Sequence, residues 1–187
     1  NCNYLENNAT TLVSGNASIS SLRNFGGTTT IGGNLVANDV VNNAGQLIVV
    51  TGTANITSQF ENNGTANFGS TSSIWSLWGT GTANFTGASQ IANRSGNGTA
   101  NFAEDSSIST ISGAGSLTIA SGKTLTISNG SFSGSVSGQG ALTKTSGSTL
   151  TLIGSNVDGY LGSTTVNAGT LVFDTDVTLT GQVTINQ

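Results

Sequence analysis

The sequence predicts an all-β protein, a right-handed parallel β-helix (β-solenoid) of about 8–10 coils of 17–25 residues each. Three observations predict it: the composition, a repeated segment, and a period-two alternation inside that segment. Thr, Ser, Asn and Gly supply 104 of 187 residues, only 6% are charged, and Pro, His and Met are absent. Strong helix formers are too scarce for a helical bundle. A hydrophobic content of 35% with so little charge also argues against charge-driven disorder.

The repeat sets the elements in order. Gly-Thr-Ala-Asn-Phe occurs at 64–68, 81–85 and 98–102, a step of 17 residues, and Gly-Ser-Leu-Thr-Ile follows at 115–119. Ile74, Ile91, Ile108 and Leu125 keep the same step, so the period extends beyond the motif. The segment 115–127 also matches 140–152 at a step of 25. Anchoring on the motif glycine gives Gly27, Gly45, Gly64, Gly81, Gly98, Gly115, Gly140, Gly162 and Gly181. Residues 1–26 fit this register poorly and are read as an irregular N-terminal cap or partial coil, with residues 27–187 as the solenoid.

Within each anchored segment the second and fourth residues after the glycine are predicted to point inward. Those at the fourth position are Ile31, Val49, Phe68, Phe85, Phe102, Ile119, Lys144, Val166 and Ile185. The third position is polar in most copies, which is the signature of a half-buried strand. Phe68, Phe85, Phe102 and Ile119 are therefore expected as one core ladder, with Ala replacing Leu beside each Phe at roughly constant volume. One strand per period closes no core alone, but equivalent strands stacked in parallel about 4.8 Å apart do. Parallel crossovers are overwhelmingly right-handed, and glycine and asparagine suit the corners. An antiparallel sandwich would share the alternation but not residue identity at a fixed step.

The stretch GALTKTSGSTLTLIGSNVDGYLGSTTVNAGTLVF at 140–173 resembles the passenger-associated transport repeat of bacterial autotransporters. Gly140, Leu142, Lys144, Gly147, Leu150, Leu152, Gly162, Thr164, Val166, Ala168, Gly169 and Leu171 fall on its pattern. The resemblance covers less than a fifth of the chain. It implies a secreted right-handed β-helix on a Gram-negative cell surface and identifies no activity. The chain shows no membrane barrel and no signal peptide, so it is read as a piece of something longer. That family carries Lys at the Lys144 position, which implies a strand-end amine reaching solvent between Ile119 and Val166.

Function classes narrow quickly. Without His, and with Cys2 as the only thiol and no partner for it, neither acid–base nor nucleophilic catalysis has its usual groups. The register builds no acidic ladder, since Glu104 and Asp105 align with Gly87 and Ala88 on one side and Ser121 and Gly122 on the other. No enzyme, cofactor or structural metal is expected. Asp174 and Asp176 are read as solvated turn residues rather than calcium ligands. A net charge of -4 with four scattered cations excludes a phosphate-neutralising stripe, hence nucleic-acid binding. No apolar run is long enough for a membrane-spanning helix.

Trp75 and Trp78 are the candidate contact residues for a host surface protein or glycan, and Trp75 is expected outward because its neighbour Ile74 lies in the inward ladder. The leading expectation is a non-catalytic structural and adhesive rod, extracellular or at the cell surface. The alternatives are a self-assembling filament or surface-layer subunit, associating end to end through an open strand edge, and a carbohydrate-binding module using the two tryptophans.

Overall fold

The computed structural model describes residues 2–153, 160–173 and 179–186. Asp158, Asp174 and Asp176 lie outside the described residues. The chain is all-β, and its strands stack in parallel as a β-solenoid of about ten turns. Two long strands open it: β1 (Cys2–Val13) and β2 (Ala17–Ile31). Five coils then pair a longer strand with a short one: β3 (Leu35–Asn42) and β4 (Leu47–Val50), β5 (Ala54–Asn62) and β6 (Thr65–Phe68), β7 (Ser72–Trp78) and β8 (Thr82–Phe85), β9 (Ser89–Arg94) and β10 (Thr99–Phe102), β11 (Ser106–Ile111) and β12 (Ser116–Ile119). There follow β13 (Thr124–Phe132), β14 (Ser135–Gly138), β15 (Ala141–Lys144), β16 (Thr149–Leu152), β17 (Thr164–Val166), β18 (Thr170–Phe173) and β19 (Val183–Ile185).

Pairing divides each coil into three faces. Residues 17–19, 21–24 and 28–31 of β2 pair with 35–37, 39–42 and 47–50 of the next coil, and these define the first, second and third faces. The third face carries the Gly-Thr-Ala-Asn-Phe copies, in register residue for residue: Phe68 on Phe85 on Phe102 on Ile119. The phenyl rings of Phe68, Phe85 and Phe102 are stacked nearly parallel at 5.2 and 5.3 Å between centroids, and Phe60 meets Phe68 edge-on at 5.8 Å. All four side chains are buried. The outward Asn67, Asn84 and Asn101 hydrogen-bond to one another along the stack, at 2.8 and 2.7 Å.

The structure corrects the sequence register in four places. Residues 2–26 hold a strand pairing that the glycine register does not trace: β1 pairs with β2 from Cys2–Ile19 to Val13–Ile31, with one register shift at Asn7/Asn8. In that copy Asn occupies an inward site, which hides the repeat. In the next coil the equivalent of Gly64 is Gln46, one residue beyond Gly45, so Ile48 and Val50 point inward and not Leu47 and Val49. A two-residue turn at Ser121–Gly122, with Gly122 at φ 72°, moves Leu125 out of the isoleucine ladder. Ile127 stands on Ile108 instead, and Lys123 rather than Ser121 sits against Glu104. Most consequentially, the step from Gly115 to Gly140 crosses faces. The strand above 116–119 is β14, with Gly138 over Ile119, whereas β15 lies on the first face with Lys144 between Ile127 and Val166. The match of 115–127 to 140–152 is real as sequence, but it superposes a third face and the first face that follows it on a first and a second face.

Candidate functional site

A solenoid corner turns backbone carbonyls into the interior, where each needs a donor. Between the second and third faces Asn7, Asn24, Asn42 and Asn62 form a buried amide ladder. The Asn7 amide donates to Asn24 Oδ1 at 2.8 Å, Asn24 to Asn42 at 2.9 Å and Asn42 to Asn62 at 2.9 Å. The same Nδ2 groups of Asn24, Asn42 and Asn62 also donate to the Leu47, Thr65 and Thr82 carbonyls. Beyond Asn62 the column continues as Gly79, Gly96 and Gly113, all at positive φ. The space is taken by Arg94, whose guanidinium donates to the Gly96 and Gly98 carbonyls and lies 5.6 Å from the Phe132 ring centre. Burial pushes the Arg94 pKa down to about 10.

Lys144 does the same on the first face. Its ammonium is not in solvent as expected: the side chain is fully buried and donates to the Ser146 and Ala168 carbonyls. Stacked on Ile127 and under Val166, it is held below the usual lysine range by desolvation. Neither Arg94 nor Lys144 has a carboxylate partner among the described residues; the four-carbon or guanidinium reach serves carbonyl oxygens instead. Tyr160 completes the set, its hydroxyl donating to the Gly140 and Ser163 carbonyls at 2.6 and 3.1 Å. These buried polar groups are structural, and sequence reasoning missed all but Lys144. The signal was present: Asn7, Asn24, Asn42 and Asn62 recur at steps of 17, 18 and 20.

Burial raises the Tyr160 pKa to about 12. A phenol with a raised folded pKa adds stability that is fully present below its unfolded value near 10 and is lost as pH climbs through 12. Ultraviolet titration of phenolate absorbance should therefore show one tyrosine ionising near 12. Tyr160→Phe should remove that step and flatten the alkaline fall in melting temperature; an unchanged profile would contradict the assignment.

The outer surface divides sharply. On the second-to-third corner Trp78 is 36% exposed, whereas Trp75, at the end of the first-face segment of β7, is 60% exposed with Ile74 buried beside it. Trp75 rises over a groove of about 350 Å³ that crosses four coils, with Asn55, Ser73, Gln90, Ala92 and Ser107 among its lining. Trp78 lies outside it. The acidic residues are elsewhere and dispersed. Glu104 pairs with Lys123 at the surface, Asp105 Oδ1 accepts from the Thr124 N–H at 2.7 Å, and no three His, Cys, Asp or Glu side chains converge among the described residues. Cys2 is exposed and unpaired. Among the described residues no helix is long and apolar enough to cross a membrane. Comparison with protein-family models, with curated proteins and with solved structures finds no match to this chain.

Proposed function

We propose that this chain is a stretch of a non-catalytic, rod-like structural and adhesive protein of the Gram-negative cell surface, an autotransporter-like passenger. The observation that carries the reading is the behaviour of residues 140–153 and 160–173. Their two halves fold as successive coils, Leu142 on Thr164, Lys144 on Val166, Leu150 on Leu171 and Leu152 on Phe173. The autotransporter-like sequence thus continues the same parallel stack as the rest of the chain rather than forming a separate unit. Ten coils at the parallel spacing make a rod about 45–50 Å long, a shape suited to holding a surface away from a cell. Antibodies against the purified chain are expected to label intact cells of the source organism, and the parent reading frame is expected to end in a membrane barrel. Labelling only after lysis would overturn the proposal.

A filament or surface-layer subunit is the second reading, and its test on the 187-residue chain taken by itself is β19. It pairs with β17 with Val183 on Thr164 and Ile185 on Val166, which are inward columns, yet Val183 is 49% and Ile185 65% exposed. A strand edge with bare apolar columns is a template for another chain. Light scattering of the 187-residue chain should show concentration-dependent association. Val183→Lys should abolish it by charging the column. A wild-type chain that stays monomeric at high concentration removes this reading.

A further inference from the structure

We propose that the first face of the solenoid is a binding groove for an uncharged linear polysaccharide, with Trp75 as its stacking platform. The proposal deepens the adhesive reading by naming a ligand class. Three observations converge on it. The first is the free hydrogen-bonding capacity of this face. On the third face the outward amides of Asn67, Asn84 and Asn101 satisfy one another. On the first face the outward side chains of Asn55, Ser73, Gln90 and Ser107, one per coil over four coils, make no hydrogen bond to any described residue. They form a row of amide and hydroxyl groups with donors and acceptors both open to a ligand. The spacing between them is that of the coils, about 4.8 Å, so the row offers a polar group at each step along a chain lying parallel to the rod.

The second observation is Trp75. Its counterpart one coil on is Ala92, whose methyl leaves the indole uncovered, and 60% of the tryptophan faces water. An indole is apolar on its faces and polar at its N–H, a match for the C–H face and hydroxyl rim of a sugar ring. No second large apolar side chain lines the groove outside the ladder isoleucines, so the surface suits a ring with polar edges rather than an apolar helix.

The third observation is charge. No ionised side chain lines the groove. Two of the four cations, Arg94 and Lys144, are buried on carbonyls and a third, Lys123, is paired with Glu104. An acidic polymer therefore finds no counter-charge here and meets a net charge of -4. The surface is also longer than one sugar. A concavity lined by Ser18, Ser20, Val36 and Asn38 shares Thr57 with the Trp75 groove, and one reaching Thr124 and Thr126, with Asp105 as its one ionised residue, shares Gln90 and Ser107. The face is continuous across coils one to eight, about 35 Å at the parallel spacing, which favours a polymer over a free monosaccharide.

The experiment is affinity electrophoresis of the purified chain through gels holding a soluble β-glucan, a galactomannan or dextran, with polygalacturonate and heparin as acidic counterparts. Calorimetry with oligosaccharides of increasing length from the retarding polymer follows. At least one neutral polysaccharide should retard the wild type, and affinity should rise with oligosaccharide length. Trp75→Ala should weaken binding about tenfold or more, and Gln90→Ala should weaken it less. Trp78→Ala, outside the groove, should bind as wild type. Circular dichroism confirms that each variant is folded. Retardation by acidic polymers alone, full binding by Trp75→Ala, or capture of a protein ligand with no neutral glycan bound would each overturn the proposal. Its failure leaves the surface rod standing, since cell labelling does not depend on a glycan, and glycan binding by a chain that never reaches the surface would fail the rod alone.

Discussion

Phe85→Ala is expected to destabilise the solenoid by about 3–5 kcal/mol, a fall of roughly 10 °C in melting temperature for a chain of this size. The ring is fully buried between Phe68 and Phe102, with 5.2 and 5.3 Å between centroids on either side. Its neighbours in the coil are small: Ala83 is the other inward residue of β8, so no adjacent side chain is long enough to fill the void. Collapse is blocked by the ladder itself, because moving Phe68 toward Phe102 would pull β6 and β10 out of hydrogen bonding with β8. A stack held only by nearest neighbours also passes the defect on, since the coils on either side each lose a packed ring. The outward Asn84→Thr is the comparison. It breaks two part-buried amide hydrogen bonds, to Asn67 and Asn101, and places a good strand former, so about 1 kcal/mol or less is expected. Thermal unfolding of both proteins measures the difference, and equal melting temperatures would refute the inward ladder.

The parallel stack was legible in sequence because its coils repeat chemistry as well as spacing. Wherever the third face reads Thr-Ala-Asn-Phe, the period of 17 and the alternation together specify which side of the strand each residue occupies. Legibility failed where two faces look alike. Leu-Thr-Ile on the third face and Leu-Thr-Lys on the first are equally good strand sequences, so a 25-residue match joined Ile119 to Lys144 although they belong to different ladders. The polar interior was illegible for another reason. Asn24 and Arg94 sit inward because corner carbonyls need donors, and that demand arises from the backbone path and leaves no mark on hydropathy. Trp75 could be placed outward from Ile74 alone. The groove beneath it needed the neighbouring coils, because it is made by residues 15 to 20 positions away on either side and, one coil further, by Ser107 and Ser109.

Gly115→Ala is expected to cost about 3 kcal/mol or more, at the upper end of what overpacking exacts. The motif glycine is invariant through Gly64, Gly81, Gly98 and Gly115, yet none of these four has a positive φ, so turn geometry does not demand it. Close approach does. A Cβ on Gly115 would stand 1.9 Å from the Gly98 carbonyl oxygen and 2.5 Å from the Arg94 guanidinium. That oxygen is not free to retreat: it accepts from the Ser116 N–H at 3.0 Å and from Arg94. A methyl group therefore forces the two coils apart at the corner, or displaces the guanidinium from both of its carbonyls and leaves a buried cation unsatisfied. The same contact recurs one coil on, where a Cβ at Gly134 would meet the Gly115 oxygen at 1.9 Å, so the glycine column acts as the spacer that lets corners stack at the strand separation. Gly147→Ala serves as the control, since no atom lies within 4 Å of its added Cβ and its φ is not positive. That substitution should be neutral or stabilise by about 0.4–1 kcal/mol through the unfolded chain. Chemical denaturation of the two variants side by side reads the contrast directly, and a Gly115→Ala protein as stable as Gly147→Ala would mean that the corners are not in van der Waals contact.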